Sequence, residues 1–183
     1  MNKQAVMNDM KYSSECVKKA KSIICNLLNG GEILQVEGDE NEVLRKLDLS
    51  CGIDYFFSYR NNTVVWGIAS RVQKIPAIYK PYNTFTVRKA RESGAQTEYE
   101  KRKFAIQHGG EYPYLTMQMY VNDDKDCLSL AIAKTTDIMD FCDKGLAFEK
   151  KTGEQQIGQA VFLVVDWAKF KNAGSNIKLY QRK

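Results

Sequence analysis

The sequence holds a single histidine, His108, in 183 residues. That scarcity excludes a histidine-rich zinc site, and a Cys/His hydrolase would have to depend on this one ring. Five cysteines, Cys16, Cys25, Cys51, Cys127 and Cys142, form an odd set without CxxC spacing, which argues against a disulfide framework and for reduced thiols in or near a core. Neither GxxxxGK[ST] nor GxGxxG occurs, so the common phosphate-cradling loops of kinases, ATPases and dehydrogenases are missing. No window approaches the roughly 20 apolar residues of a membrane helix, and residues 1–11 lack the apolar stretch of a signal peptide. The expectation is a cytoplasmic protein with no membrane partner.

What is present suits an ordinary globular chain: 44% hydrophobic and 27% charged residues, enough for one substantial core. No repeat, linker or charge block divides it, so a single domain over 1–183 is expected, of mixed α/β class. The net charge of +5 is mild, but residues 88–103 concentrate six basic side chains (Arg88, Lys89, Arg91, Lys101, Arg102, Lys103) against Glu92, Glu98 and Glu100. Such a segment can meet phosphates through charge alone. The plainer alternative is a solvated helix face laced with i,i+4 pairs.

Along the chain, Ser13 or Ser14 is placed to cap a helix that ends near Leu28 at Asn29-Gly30-Gly31, with Val17, Ala20, Ile24 and Leu28 on one face. Residues 33–36 read as a short strand, and 39–47 as a short acidic helix or loop. Aromatic and β-branched residues on either side of Arg60-Asn61-Asn62 predict a hairpin of strands 52–57 and 63–72. A third strand follows at 84–87. Gln96 or Thr97 opens a helix that stops at His108-Gly109-Gly110, where His108 suits the negative end of the helix dipole. Leu115, Met117, Met119 and Val121 alternate with Thr116, Gln118 and Tyr120, which predicts a strand with its apolar side on the core. A helix at 136–141, a strand at 160–165 and terminal strands complete the reading.

Asp54 stands at the start of the first hairpin strand and faces polar and basic residues of the second, an arrangement able to hold a divalent metal against a phosphate. Together, the Gly52-Ile53-Asp54 start, the hairpin, and the helix and strand beyond it resemble the PD-(D/E)XK, or restriction-endonuclease-like, nuclease superfamily, as a divergent member with an eroded motif. The resemblance covers about 14–121 and implies an α-β-β-β-α-β core, to which 122–183 adds a helix and strands. It implies that Asp54 binds Mg²⁺. Ala69 falls where the superfamily carries Glu or Gln, and Arg71 where it carries Lys. Gln73, on the same strand face, could supply the missing oxygen. Asp39, Glu40, Glu42 and Asp48 lie upstream, and Glu40 and Asp48 are the further candidate metal ligands; a solvated acidic turn is the plainer account of them. Arg88, Lys89, Arg91, Lys101 and Arg102 would grip the backbone of a nucleic acid, DNA before RNA.

Arg71 could stabilise charge on a phosphorane but, with its very high pKa, could not act as a base. The resemblance therefore points to Mg²⁺-dependent phosphodiester hydrolysis that is weak or lost, or to a nuclease-derived nucleic-acid-binding protein. The competing expectation is a catalytically inactive protein-interaction domain of a phage or mobile element, its basic segment meeting an acidic partner.

Overall fold

Helix-forming and strand-forming stretches alternate along the chain, and the computed structural model, which describes residues 3–36, 41–59, 64–152 and 159–182, places them in a mixed α/β architecture. In chain order these are α1 (Lys3–Lys19), α2 (Lys21–Leu27), β1 (Glu32–Gln35), α3 (Glu42–Lys46), β2 (Tyr55–Ser58), β3 (Val65–Lys74), β4 (Thr84–Arg91), α4 (Glu98–His108), β5 (Leu115–Val121), β6 (Cys127–Lys134), α5 (Thr135–Asp143), β7 (Phe148–Lys151), β8 (Ala160–Asp166), α6 (Trp167–Asn172) and β9 (Ile177–Gln181). A π-helical turn over Leu47–Cys51 extends α3 and ends on Gly52, whose φ of 70° is the left-handed conformation that favours glycine.

One sheet runs β1-β2-β3-β5-β6-β9, with β3 and β5 parallel and every other neighbouring pair antiparallel; the other runs β4-β8-β7. The parallel β3–β5 pair requires a crossover, and that crossover carries β4 and α4. One face of the large sheet packs against α1 and α2 through Met117, Met119, Leu130, Ile132, Ile68 and Ile24. Its other face meets the small sheet, α5 and α6 around Tyr120, Phe85, Val165, Ile138, Trp167 and Phe170. Each of these side chains, fully buried, contributes about 1.5–3 kcal/mol of hydrophobic stabilisation. No helix among the described residues is long and apolar enough to cross a membrane.

The hairpin partners β2 and β3 are antiparallel as expected, Tyr55 opposite Ile68; the Arg60-Asn61-Asn62 segment and Asp39 lie outside the described residues. Several expectations are corrected. The first helix does not start at Ser13 or Ser14: α1 passes through both, and Ser14, buried, donates its hydroxyl proton to Gln35 Oε1 at 2.6 Å. The 84–87 strand does form, but β4 joins β8 in the second sheet rather than following β3 in the first. A strand at 127–134 was not expected; β6 sits beside β5. Leu115, Met117 and Met119 do face the core, yet Thr116, Gln118 and Tyr120 are buried as well, because the second sheet covers their face. The thiols of Cys127 and Cys142 are unpaired, and burial pushes both up to about 12.

Candidate functional site

Strand β3 is longer than β2, so past Tyr55–Ile68 its backbone loses a strand neighbour on that side. Asp54 fills the gap. Its N–H donates to Ile68 O at 2.9 Å, its carbonyl accepts from Val36 N at 2.8 Å, and its carboxylate accepts the N–H of Ser70. The backbone of Asp54 thus joins the end of β1 to β3, and its carboxylate adds a second bond to β3, which gives Asp54 a structural function whatever else it does.

On the next residue of β3, Arg71 points from the opposite face of the sheet into a cleft of about 260 Å³. Ala69 and Arg71 of β3 with Thr116 and Gln118 of β5 form its floor; Thr86, Arg88 and Arg91 of β4 form one wall; Glu98, Lys101 and Arg102 of α4 form the other; Asp48 and Asp54 lie at its edge. The period-2 alternation of the three strands, shifted in β4 by a bulge between Arg88 and Ala90 ahead of Arg91, and the i, i+3, i+4 spacing of Glu98, Lys101 and Arg102 bring these side chains together. Helix α4 is fixed at its start by a capping box: the Thr97 hydroxyl accepts from Glu100 N, and the Glu100 carboxylate accepts from Thr97 N at 2.7 Å.

Glu98 is the hub. Its carboxylate accepts from Arg102 at 2.7 Å, from Arg71 at 3.2 Å and from the Arg88 N–H at 3.3 Å. Burial opposes the charge of Glu98, but Arg102, Arg71 and the Arg88 amide outweigh it and hold the carboxyl below its ordinary value. Arg71 also donates to Thr86 Oγ1 at 2.9 Å, and Thr86 donates to Gln118 Oε1 at 3.3 Å. The guanidinium carbons of Arg71 and Arg88 lie 5.2 and 5.4 Å from the centre of the Phe162 ring, a cation–π platform shared by two like charges.

The cleft carries more positive charge and more donors than it can use. Five cations (Arg71, Arg88, Arg91, Lys101, Arg102) line it against three carboxylates (Asp48, Asp54, Glu98). Burial, then Arg71 and Arg91, press the Arg88 pKa below its ordinary value, so its charge sits among repelling neighbours. Arg88 Nε, Arg102 Nη1 and Gln118 Nε2 are buried donors without a hydrogen-bond partner among the described residues. A buried donor left unpaired costs about 1–3 kcal/mol, so these three atoms are a cost of packing so many donors around Glu98.

Several candidate residues therefore converge, and others do not. Asp54, Asp48, Arg71, Arg88, Arg91, Lys101 and Arg102 all border the cleft. Gln73 does not; it lies further along β3, opposite Tyr120, about 7 Å beyond Arg71 at the ordinary strand rise. Lys89 does not either, since alternation turns it to the far side of β4, where it pairs with Glu149. Glu40 is outside the described residues. Tested against a hard dication, the described lining offers as carboxylates only Asp48 and Asp54 beside the Arg-bound Glu98, and no group of three His, Cys, Asp or Glu side chains placed to hold a metal occurs among the described residues. That donor set fits an anion better than Mg²⁺. His108 ends α4 and its Nδ1 lies 2.9 Å from Phe104 O, away from the cleft floor.

Gln118 and Phe162 were missed as site residues because each lies in a strand whose pattern reads as core. A lone Gln in the middle of Leu-Thr-Met-Gln-Met-Tyr-Val was the available signal. No family model matches the chain, and no curated protein or solved structure does.

Proposed function

We propose that the cleft grips the phosphodiester backbone of a nucleic acid, DNA in the first instance, and that the protein is a nuclease-like scaffold used for binding, with Mg²⁺-dependent cleavage feeble at most. The observation that carries this reading is the convergence of five cations against three carboxylates on one cleft. Phosphate oxygens are the acceptors such a surface suits, because each accepts several bonds and the charges are complementary. A helix, three antiparallel strands, a helix and a strand parallel to β3 recur in the order the restriction-endonuclease-like scaffold requires only if α3 with its π-helical turn, between β1 and β2, and β4, which belongs to the second sheet, are both taken as insertions. Feeble cleavage follows from Ala69 and Arg71: no carboxylate or amide at the first position holds a metal, and no neutral amine at the second assists a water.

The test is binding of mixed-sequence DNA and RNA at about 50 mM salt, where phosphate contacts are strongest. Wild-type protein binds, and Arg91→Ala with Lys101→Ala weakens binding across all sequences. Arg102 is a poor choice for that comparison, since it is buried against Glu98. With Mn²⁺ or Mg²⁺ present, Asp54→Ala retains binding and removes any residual nicking. Failure of the wild-type protein to bind either polymer would sink this reading in favour of an acidic protein partner.

A further inference from the structure

The arginine cleft is not isolated. A second recess of about 200 Å³ adjoins it, and Cys51, Gln96, Lys101 and Arg102 border both. The far end of the recess differs in chemistry from the cleft. Phe104 and Tyr112 line it, with Ser50 and Glu111 beside them. Phe104 is 60% exposed and is held in orientation by stacking on His108 at 4.1 Å between centroids. Glu111 makes this end unsuitable for a second phosphate, whereas its carboxylate and the Ser50 hydroxyl can meet the amino and imino groups of a nucleobase edge.

We propose that the recess is a nucleobase subsite, so that the site takes an unpaired nucleotide: its phosphate in the arginine cleft, its base against Phe104 and Tyr112. The proposal rests on the phosphate-binding reading and adds to it a preference for single-stranded nucleic acid. An aromatic face stacks on any base without regard to sequence, and a base inside a duplex cannot reach a recess of this kind without leaving its stack. Lys101 and Arg102 stand at the junction, where the link between base and phosphate would cross.

Fluorescence anisotropy with three probes at one salt concentration provides the test: an oligothymidylate about ten nucleotides long, a strand of the same length with abasic sites throughout, and a hairpin duplex. The oligothymidylate binds wild-type protein about tenfold or more tighter than the abasic strand, and the duplex binds no better than the abasic strand. Phe104→Leu and Tyr112→Leu each bring the oligothymidylate down towards the abasic level while leaving its salt dependence unchanged. Phe104 is exposed, so its replacement does not threaten folding, and the abasic comparison needs no variant. Equal, salt-sensitive binding of all three probes overturns the base subsite and leaves the phosphate cleft standing. Absence of binding to any probe overturns both.

Discussion

Removing the Arg102 guanidinium would strip Glu98 of its shortest ion pair in a setting where Arg102 is only 5% exposed at its side chain. Arg71 and the Arg88 amide remain, but they are longer contacts, so Arg102→Met is expected to lower stability by about 3 kcal/mol in urea unfolding. The same residue sets a pH dependence. Glu98 titrates below its ordinary value of 4.5 in the folded state. A carboxyl depressed in this way stabilises the fold fully above its unfolded value, and that contribution is lost as pH falls through the folded value. Stability should therefore decline on acidification below about pH 4.5, and Glu98→Gln, already without the charge, should show a shallower decline over that range. An acid limb identical in the two proteins would mean that Glu98 is not the hub of the cleft.

At the scale of elements, the parts legible in the sequence are those whose signals are local. Helix α4 could be read from Gln96 or Thr97 at its start and His108-Gly109-Gly110 at its end, and the structure bears out both ends, with Thr97 as the cap. Thr97→Ala should cost about 1 kcal/mol, because it removes the side-chain acceptor of the first turn; it should also loosen Glu98, the next residue, and so weaken nucleic-acid binding in the same titration. Unchanged thermal stability would show that the cap is dispensable. The parts that were not legible depend on distant neighbours. Nothing near 84–91 says that β4 pairs with β8, some seventy residues on, rather than with β3. Strand β6, Cys-Leu-Ser-Leu-Ala-Ile-Ala-Lys, does alternate Leu128, Leu130 and Ile132 with Ser129, Ala131 and Ala133, a period-2 signal that was legible but was passed over because the strand runs directly into α5. The alternation in β5 was real, but it marked two buried faces, and Thr116 and Gln118 of the second one form part of the cleft floor.

For the molecule as a whole, the cleft exists because two sheets meet. Its floor belongs to the large sheet, one wall to the small one, and the second wall to the helix in the crossover between β3 and β5. Asp54 was legible as a strand-start acid and Arg71 as a basic residue on the partner strand, yet their joint placement beside Arg88 and Arg102 needed the crossover to be seen. The basic segment at 88–103 likewise divides: Lys89 and Lys103 pair outward with Glu149 and Asp143, while the Arg102 guanidinium turns in to Glu98 and that of Arg88 lies over Phe162. The central claim is that this shared cleft binds phosphate through its cations. The direct measurement is the dependence of the nucleic-acid association constant on salt concentration, on logarithmic axes. Three to five phosphate contacts give a slope of about −2 to −4, and Arg91→Ala or Lys101→Ala should each make it shallower by about 1. A slope near zero, or one that neither substitution changes, would contradict the account.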